Sequence, residues 1–183
     1  MSAKSTKSIA RDKLANNLQK KIEDSLNEQI NMELTAQYHY LAMSAWMDGQ
    51  GFRGFAKWFR MQAEEEYQHA MKFFDYLLDR DGNVDLRPIL SPAIKYKSII
   101  DVFQTSLMQE REGSDKIGEI YQLADKVGDF QTKSFVRWFI DEQIEEETTV
   151  RQMCDSLKIA GNEPAALFML DKEAGQRQAI GTQ

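Results

Sequence analysis

The chain has 183 residues, a mass of 21.2 kDa, 23 lysines and arginines against 29 acids, a net charge of −6 and a sequence pI near 5.1. That length fits one domain, and the acidic balance argues against nucleic-acid binding. With 42% hydrophobic residues the chain can build a core, yet its longest apolar run, Ala165 to Leu170, is too short to span a membrane, and the single Cys154 excludes both a disulfide framework and a four-cysteine metal site.

Met1 to Lys13 is polar and basic without the apolar stretch of a signal peptide, so a cytoplasmic setting is expected. Prolines occur at 88, 92 and 164 alone, which leaves two long proline-free blocks rich in Leu, Ala, Glu, Gln, Lys and Met. Such blocks favour long helices. After a lead over 1–16, the patterning predicts α1 over about 17–48 and α2 over about 54–80. Asp81-Gly82-Asn83, Pro88, Ser91 and Pro92 then mark an extended connection over about 81–95. It predicts α3 over about 97–127, α4 over about 129–159 and a short α5 over 164–174, with a capping residue and an early proline supplied by Asn162-Glu163-Pro164. A tail covers 175–183. A helix of about 30 residues is roughly 45 Å long, a distance that about 15 extended residues can span. The expected fold is therefore all-α: one domain over 1–183, with a four-helix bundle (17–159), brief joints inside each helical pair and one long α2–α3 crossover.

The inward stripes follow three- and four-residue spacing. They run Leu26, Ile30, Glu33, Gln37, Tyr40 in α1 and Phe55, Phe59, Gln62, Glu66, His69, Phe73 in α2. In α3 they run Ile99, Phe103, Ser106, Glu110, Gly113, Ile117, and in α4 Phe135, Phe139, Gln143, Glu146, Val150, Met153, Leu157, with Glu142 beside the stripe. Each stripe is apolar at its ends and turns acidic near the middle. The spacings also repeat. Glu33 and Glu66 are 33 residues apart, as are Glu110 and Gln143, and His69 and Glu146 each follow three residues later. Glu33 and Glu66 lie 18 before and 15 after Gly51, and Glu110 and Gln143 lie 18 before and 15 after Gly128. At a rise of about 1.5 Å per residue, all six side chains reach one slab of the bundle.

Four carboxylates in a dry bundle each cost several kcal/mol if unpaired, and no stripe position carries Lys or Arg. Two divalent cations would neutralise them. One imidazole among oxygen donors suits Fe(II) or Mn(II), and bridging carboxylates with Glu-x-x-His pairs are a known design for a di-metal bundle site. A single mid-helix glutamate is ordinarily a solvated residue; four at matched depth on core stripes are not accounted for that way. Glu65, Glu142 and Glu145 lie beside the stripe, where an extra cation site and a solvated face both fit. Glu147 is expected to face outward. Tyr40 is either a core tyrosine hydrogen-bonded to a ligand or a redox participant. His39, off the Glu33 stripe, and Cys154 read as structural. A purely structural bundle with surface glutamates is the remaining alternative.

The segments Asn31-Met32-Glu33-Leu34, Gln62-Ala63-Glu64-Glu65-Glu66-Tyr67-Gln68-His69, Glu110 and Asp141-Glu142-Gln143-Ile144-Glu145-Glu146-Glu147 resemble the non-haem bacterial-type ferritins of the ferritin-like di-iron superfamily, over about 18–172. The resemblance implies a ferroxidase. Glu33, Glu66 and His69 would hold a first iron with Glu66 bridging, Glu110 and Gln143 a second with Glu146 nearby, and Glu65, Glu142, Glu145 and Glu146 a third found in some members. Tyr40 would match the family's site tyrosine. The implied reaction is oxidation of Fe(II) by O2 or H2O2, followed by storage of ferric oxyhydroxide inside a homo-oligomeric shell of 24 subunits. Haem-binding bacterioferritins carry a second Glu-x-x-His in α4 and a methionine directly after the α2 glutamate. Here those places hold Gln143-x-x-Glu146 and Tyr67, so no haem is expected. Rubrerythrins add a cysteine-rich iron module that one cysteine cannot build. The segment Ala165 to Leu170 is apolar nearly all round, and a neighbouring subunit is its expected cover. A soluble di-iron oxidase without storage would need the same ligands and no shell.

Overall fold

The computed structural model describes residues 18–92 and 95–177. The lead over 1–16 and the last part of the tail, 178–183, lie outside the described residues. Among the described residues there are five helices and no strand: α1 Lys20–Gly49, α2 Arg53–Asp79, α3 Ile99–Val127, α4 Phe130–Ala160 and α5 Pro164–Ala174. The bounds of α5 coincide with the expectation, and the ends of the long helices move by three residues or fewer. Each brief joint contains a glycine in the left-handed region, Gly51 at φ 86° and Gly128 at φ 73°. A side chain is disfavoured there, and the Gly128 N–H closes α3 by donating to the Ala124 and Asp125 carbonyls. Ser98 caps α3 by accepting from the Asp101 N–H at 3.3 Å, and Asp129 caps α4 by accepting from the Thr132 N–H at 3.0 Å. The cap expected from Asn162 is not formed. Glu163 takes the N-cap position of α5 without a side-chain cap bond, and Pro164 follows it in the first turn, where its missing N–H leaves no donor unsatisfied.

The long crossover is fastened to α1 by two asparagines one turn apart. Asn27 Nδ2 donates to the Asn83 carbonyl at 2.8 Å, and its Oδ1 accepts from the Asp85 N–H at 2.6 Å. Asn31 repeats the pattern with the Asp85 carbonyl at 2.8 Å and the Arg87 N–H at 2.7 Å. An extended segment has no ladder of its own, so these side chains satisfy its backbone groups.

The apolar core is split in two. One cluster packs Tyr40, Met43, Met47, Phe55, Phe59, Phe103, Val150 and Leu157. The other packs Ile22, Leu26, Ile30, Phe73, Leu77, Ile117, Val136 and Phe139. The buried polar residues Glu33, Glu66, His69, Glu110, Gln143 and Glu146 belong to neither. The clusters are the apolar ends of the four stripes, and the acidic positions lie between them along each helix.

The docking of α5 depends on a close approach to the start of α2. A Cβ built on Gly54 would stand 1.6 Å from the Asp171 carbonyl oxygen, so only glycine fits. The α2 N-cap Phe52 offers no side-chain cap, and the Asp171 carboxylate supplies one from α5 by accepting from the Phe55 N–H at 2.8 Å. Leu167 and Leu170 pack on the first core cluster. Phe168 and Met169 on the other side of α5 are 66% and 71% exposed. No helix among the described residues is long and apolar enough to cross a membrane.

Candidate metal centre

Every traced stripe position at mid-bundle is buried or half-buried. Helix α1 contributes Glu33, α2 contributes Glu66 and His69, α3 contributes Glu110, and α4 contributes Gln143 and Glu146; all six are buried, as is Tyr40. Ligand atoms of Glu33, Glu66 and His69 lie within 4.8 Å of one another, close enough to share one cation. Glu66 Oε2 stands 3.9 Å from His69 Nδ1. The imidazole is wedged edge-on against Trp138 and Phe139, with ring centroids at 5.6 and 5.7 Å, which limits its rotation. Glu33 is oriented by Gln29, whose Nε2 donates to Glu33 Oε1 at 2.8 Å.

The second set is tied together by hydrogen bonds. Gln143 Nε2 donates to the Glu110 carbonyl at 3.0 Å and approaches Glu110 Oε2 at 3.4 Å. The missing side chain of Gly113 accommodates that amide, since a Cβ there would lie 3.3 Å from Gln143 Nε2. The Tyr40 hydroxyl donates to Glu110 Oε1 and lies 3.0 Å from Ser106 Oγ. Glu146 Oε2 accepts from Gln62 Nε2 at 2.8 Å. Among the described residues, the carboxylates of Glu110 and Glu146 do not join the 4.8 Å group.

Electrostatics bind the two sets. Burial raises Glu66 well above the ordinary carboxyl range, and the nearby carboxylates of Glu110 and Glu33 raise it further. Burial and the charge of Glu146 push Glu110 up to about 8, against hydrogen bonds from Tyr40 and Gln143. Burial also raises Glu146. Tyr40 is held strongly protonated by burial and by the charges of Glu110 and Glu66. Like charges crowded in a dry slab resist ionisation unless a cation joins them. The donors are one imidazole, four carboxylates and an amide oxygen, a set that fits two hard-to-borderline divalent cations.

The flanking acids divide. Glu65 and Glu142 are half-buried, and Glu145 is exposed. Glu147, expected to face outward, is half-buried; it accepts from Ser114 Oγ at 2.5 Å and lies 3.8 Å from Arg111. A small hydroxyl on the facing α3 gives it a partner that the α4 sequence does not display. His39 pairs with Gln109 at 2.5 Å, away from the centre. Cys154 is buried, with its thiol pKa raised by burial.

Three participants carried no assigned role in the sequence. Gln62 and Ser106 are polar residues on otherwise apolar stripe segments, a visible signal of a buried hydrogen-bonding role. Arg177 had no such signal. It lies beyond α5, donates from Nη1 to Gln62 Oε1, and reaches Glu65 from Nη2 at 3.3 and 3.4 Å.

Residues 23–160 match the model of the ferritin-like domain family. The bacterial non-heme ferritin of Staphylococcus aureus is 36% identical over 160 residues, covering 87% of this chain and 96% of the relative. The open pore ferritin of the hyperthermophilic archaeon Archaeoglobus fulgidus superposes with a TM-score of 0.87 at 35% identity, covering 88% of this chain and 100% of the other. A humanized archaeal ferritin gives a TM-score of 0.89 at 34% identity over 90% of this chain and 100% of the other. The match spans all four long helices and carries the whole slab of inward acids, and the chain therefore belongs to the ferritin-like family.

Proposed function

We propose that this chain is an iron-storing ferroxidase. The observation that carries this is the buried, mutually close triad Glu33, Glu66 and His69, backed across the bundle by Glu110, Gln143 and Glu146. Fe(II) is the substrate. Two Fe(II) ions each give one electron to O2, which takes up two protons and leaves as H2O2, so that two Fe(III) are formed. The same centre would accept H2O2 as oxidant. The carboxylates compensate the growing positive charge at the oxidised ions. His69 is an imidazole donor held in place by Trp138 and Phe139, and Glu66 interacts electrostatically with both Glu33 and Glu110. Tyr40, hydrogen-bonded to Glu110, orients that carboxylate. The relatives named ferritins support storage of the ferric product, and the family resemblance implies that the shell is a homo-oligomer of 24 subunits. The exposed Phe168 and Met169 on α5 offer an apolar face for a neighbouring copy. We place the protein in the cytoplasm and expect no haem, because Tyr67 and Gln143 replace the residues that haem-binding relatives use.

The test is aerobic addition of Fe(II) to the native protein and to a Glu33→Ala, His69→Ala double variant, following ferric absorbance. The fast phase should fall about 100-fold or more, beyond the 10–100-fold typical of losing an outer-shell partner. An unchanged rate would return the glutamates to a structural role. Iron retained per chain separates storage from a soluble di-iron oxidase: a plateau near two ions favours the oxidase, and continued loading favours storage.

A further inference from the structure

The residues that follow α5 are seated closely on the start of α2. A Cβ built on Gly54 would stand 1.6 Å from the Asp171 carbonyl oxygen, and one built on Gly175 would stand 3.0 Å from the Gly54 Cα, so the approach leaves no room for a side chain at either position. Lys57 Nζ donates to the Gly175 carbonyl at 2.8 Å, and the Arg177 N–H donates to the Ala174 carbonyl at 3.2 Å. This seating fixes where the Arg177 side chain begins. The guanidinium carbon then lies 5.3 Å from the centroid of the Trp58 ring. Nη2 reaches the Glu65 carboxylate at 3.3 and 3.4 Å, and Nη1 donates to Gln62 Oε1.

Gln62 is fully buried, and the two ends of its amide face different partners. Oε1 accepts from Arg177, and Nε2 donates to Glu146 Oε2 at 2.8 Å. A guanidinium has donors only. Its place at the outer end of the amide therefore dictates that the oxygen faces out and the NH2 faces the centre. The bond is charge-assisted and so holds the amide more firmly than a neutral donor would. Without Arg177, a buried acceptor would lose this partner and the amide would lose the constraint on its orientation. Glu146, itself buried, receives its hydrogen bond from that amide.

We propose that Arg177 is a positioning residue of the metal centre: by locking the Gln62 amide it aims the Glu146 carboxylate at the ion on the Glu110 and Gln143 side. This rests on the di-metal reading of the centre and deepens it. The route runs from the tail through one amide to one carboxylate. It does not pass through Glu33 or His69, so the close triad should hold its ion with or without Arg177. The facing half should hold its ion less well without it, because losing a group that orients a ligand typically costs 10–100-fold in metal affinity. Arg177 lies 115 residues from Gln62 along the chain. The seating of α5 on α2 is thereby a condition for a complete centre.

The experiment is anaerobic titration of the full-length native chain and its variants with Co(II), read by the visible absorption of the bound ion. The native chain should bind a pair of ions, one firmly and one more loosely. Arg177→Gln should weaken the looser ion about tenfold, a change of about 1.4 kcal/mol, alter its absorption band, and leave the firmer ion as it is. Arg177→Lys should recover part of the loss, because an ammonium can still donate to Gln62 Oε1. Gln62→Leu removes the relay and should weaken the same ion, and adding Arg177→Gln to it should cost nothing more. Losses that multiply in the double variant, an equal weakening of both ions, or an unchanged titration in Arg177→Gln would each overturn the proposal. Arg177→Gln and Arg177→Lys decide the point by themselves should Gln62→Leu fail to fold. A native chain that binds no pair of Co(II) ions would overturn the proposed function and this inference with it, whereas a native pair untouched by Arg177→Gln overturns the inference alone.

Discussion

The two helical hairpins carry the same spacing and use it differently. In the first, Glu33, Glu66 and His69 bring ligand atoms within 4.8 Å of one another. In the second, the equivalent positions are Glu110, Gln143 and Glu146, and each is held by another side chain: Glu110 by Tyr40 and Gln143, and Glu146 by Gln62. An imidazole in one half becomes a carboxylate in the other, and a carboxylate becomes an amide. The repeated spacing places both sets at one level, because helical rise is the same in both. The residue types then decide the arrangement: a compact triad that could hold a cation on one side and a hydrogen-bonded set on the other. A centre with unequal halves can hold one ion firmly and a second more loosely.

The largest expected effect breaks this asymmetry at its stronger side. Glu66→Ala removes a member of the close triad whose charge also interacts with Glu110, and ferric formation should slow about 100-fold. Gln143→Ala removes a neutral amide that offers one oxygen donor and steadies Glu110 through a bond of about 0.5–1.5 kcal/mol, and should slow it less than about tenfold. Equal losses in the two variants, measured side by side under anaerobic mixing with oxygenated buffer, would show that the halves are equivalent after all.

A smaller effect is expected from pH. The folded carboxyls of Glu110 and Glu65, at about 8 and about 7, lie above their ordinary 4.5. The metal-free folded chain therefore binds more protons than the unfolded chain between about pH 4.5 and 8, and its stability should fall as pH rises through that window. Cation binding displaces those protons, so affinity should move the opposite way and rise by about tenfold per pH unit for each proton released. Thermal melting of metal-free protein at pH 6 and pH 8, together with Zn(II) titration in the same buffers, checks both signs. Metal-free protein that melts higher at pH 8 would contradict the assignment of buried, raised carboxyls.

A last variant sharpens the role of Tyr40. Tyr40→Phe keeps the packing against Phe59 and loses the hydroxyl bond to Glu110. A neutral donor to a charged group is worth about 1.5–3 kcal/mol, part of which Ser106 can recover from its place 3.0 Å from the hydroxyl. The rate of Fe(II) oxidation should drop by about tenfold, with the number of ions bound per chain unchanged. A lost binding event would make Tyr40 part of the binding set rather than a residue that orients Glu110.

The inward direction and common level of the acids were legible in the sequence because both depend on helical periodicity and rise, which are local properties of a continuous helix. Gly51 and Gly128 served as matched landmarks, and both turned out to be left-handed turn residues. The split of the core into two apolar clusters follows from the same stripes. The start of α5 was equally visible, being marked by Pro164. What no local spacing encodes is contact between segments distant in the chain. Asn27 and Asn31 clamping the crossover, Ser114 turning Glu147 inward, and Asp171 capping α2 across more than a hundred residues all depend on which surfaces come to face each other.

Arg177 is the clearest case. Its distance along the chain from Glu65 is 112 residues, and only the close seating of α5 on Gly54 brings it there. The amino-acid order by itself determined that four helices would carry buried acids to one depth, since rise per residue fixes the level of each inward position. The tertiary structure alone decided which of those acids gather tightly, which are held by neighbours, and which already have a guanidinium beside them. Those outcomes depend on distances between helices and on the path of the tail, and no periodicity within a single helix carries that information.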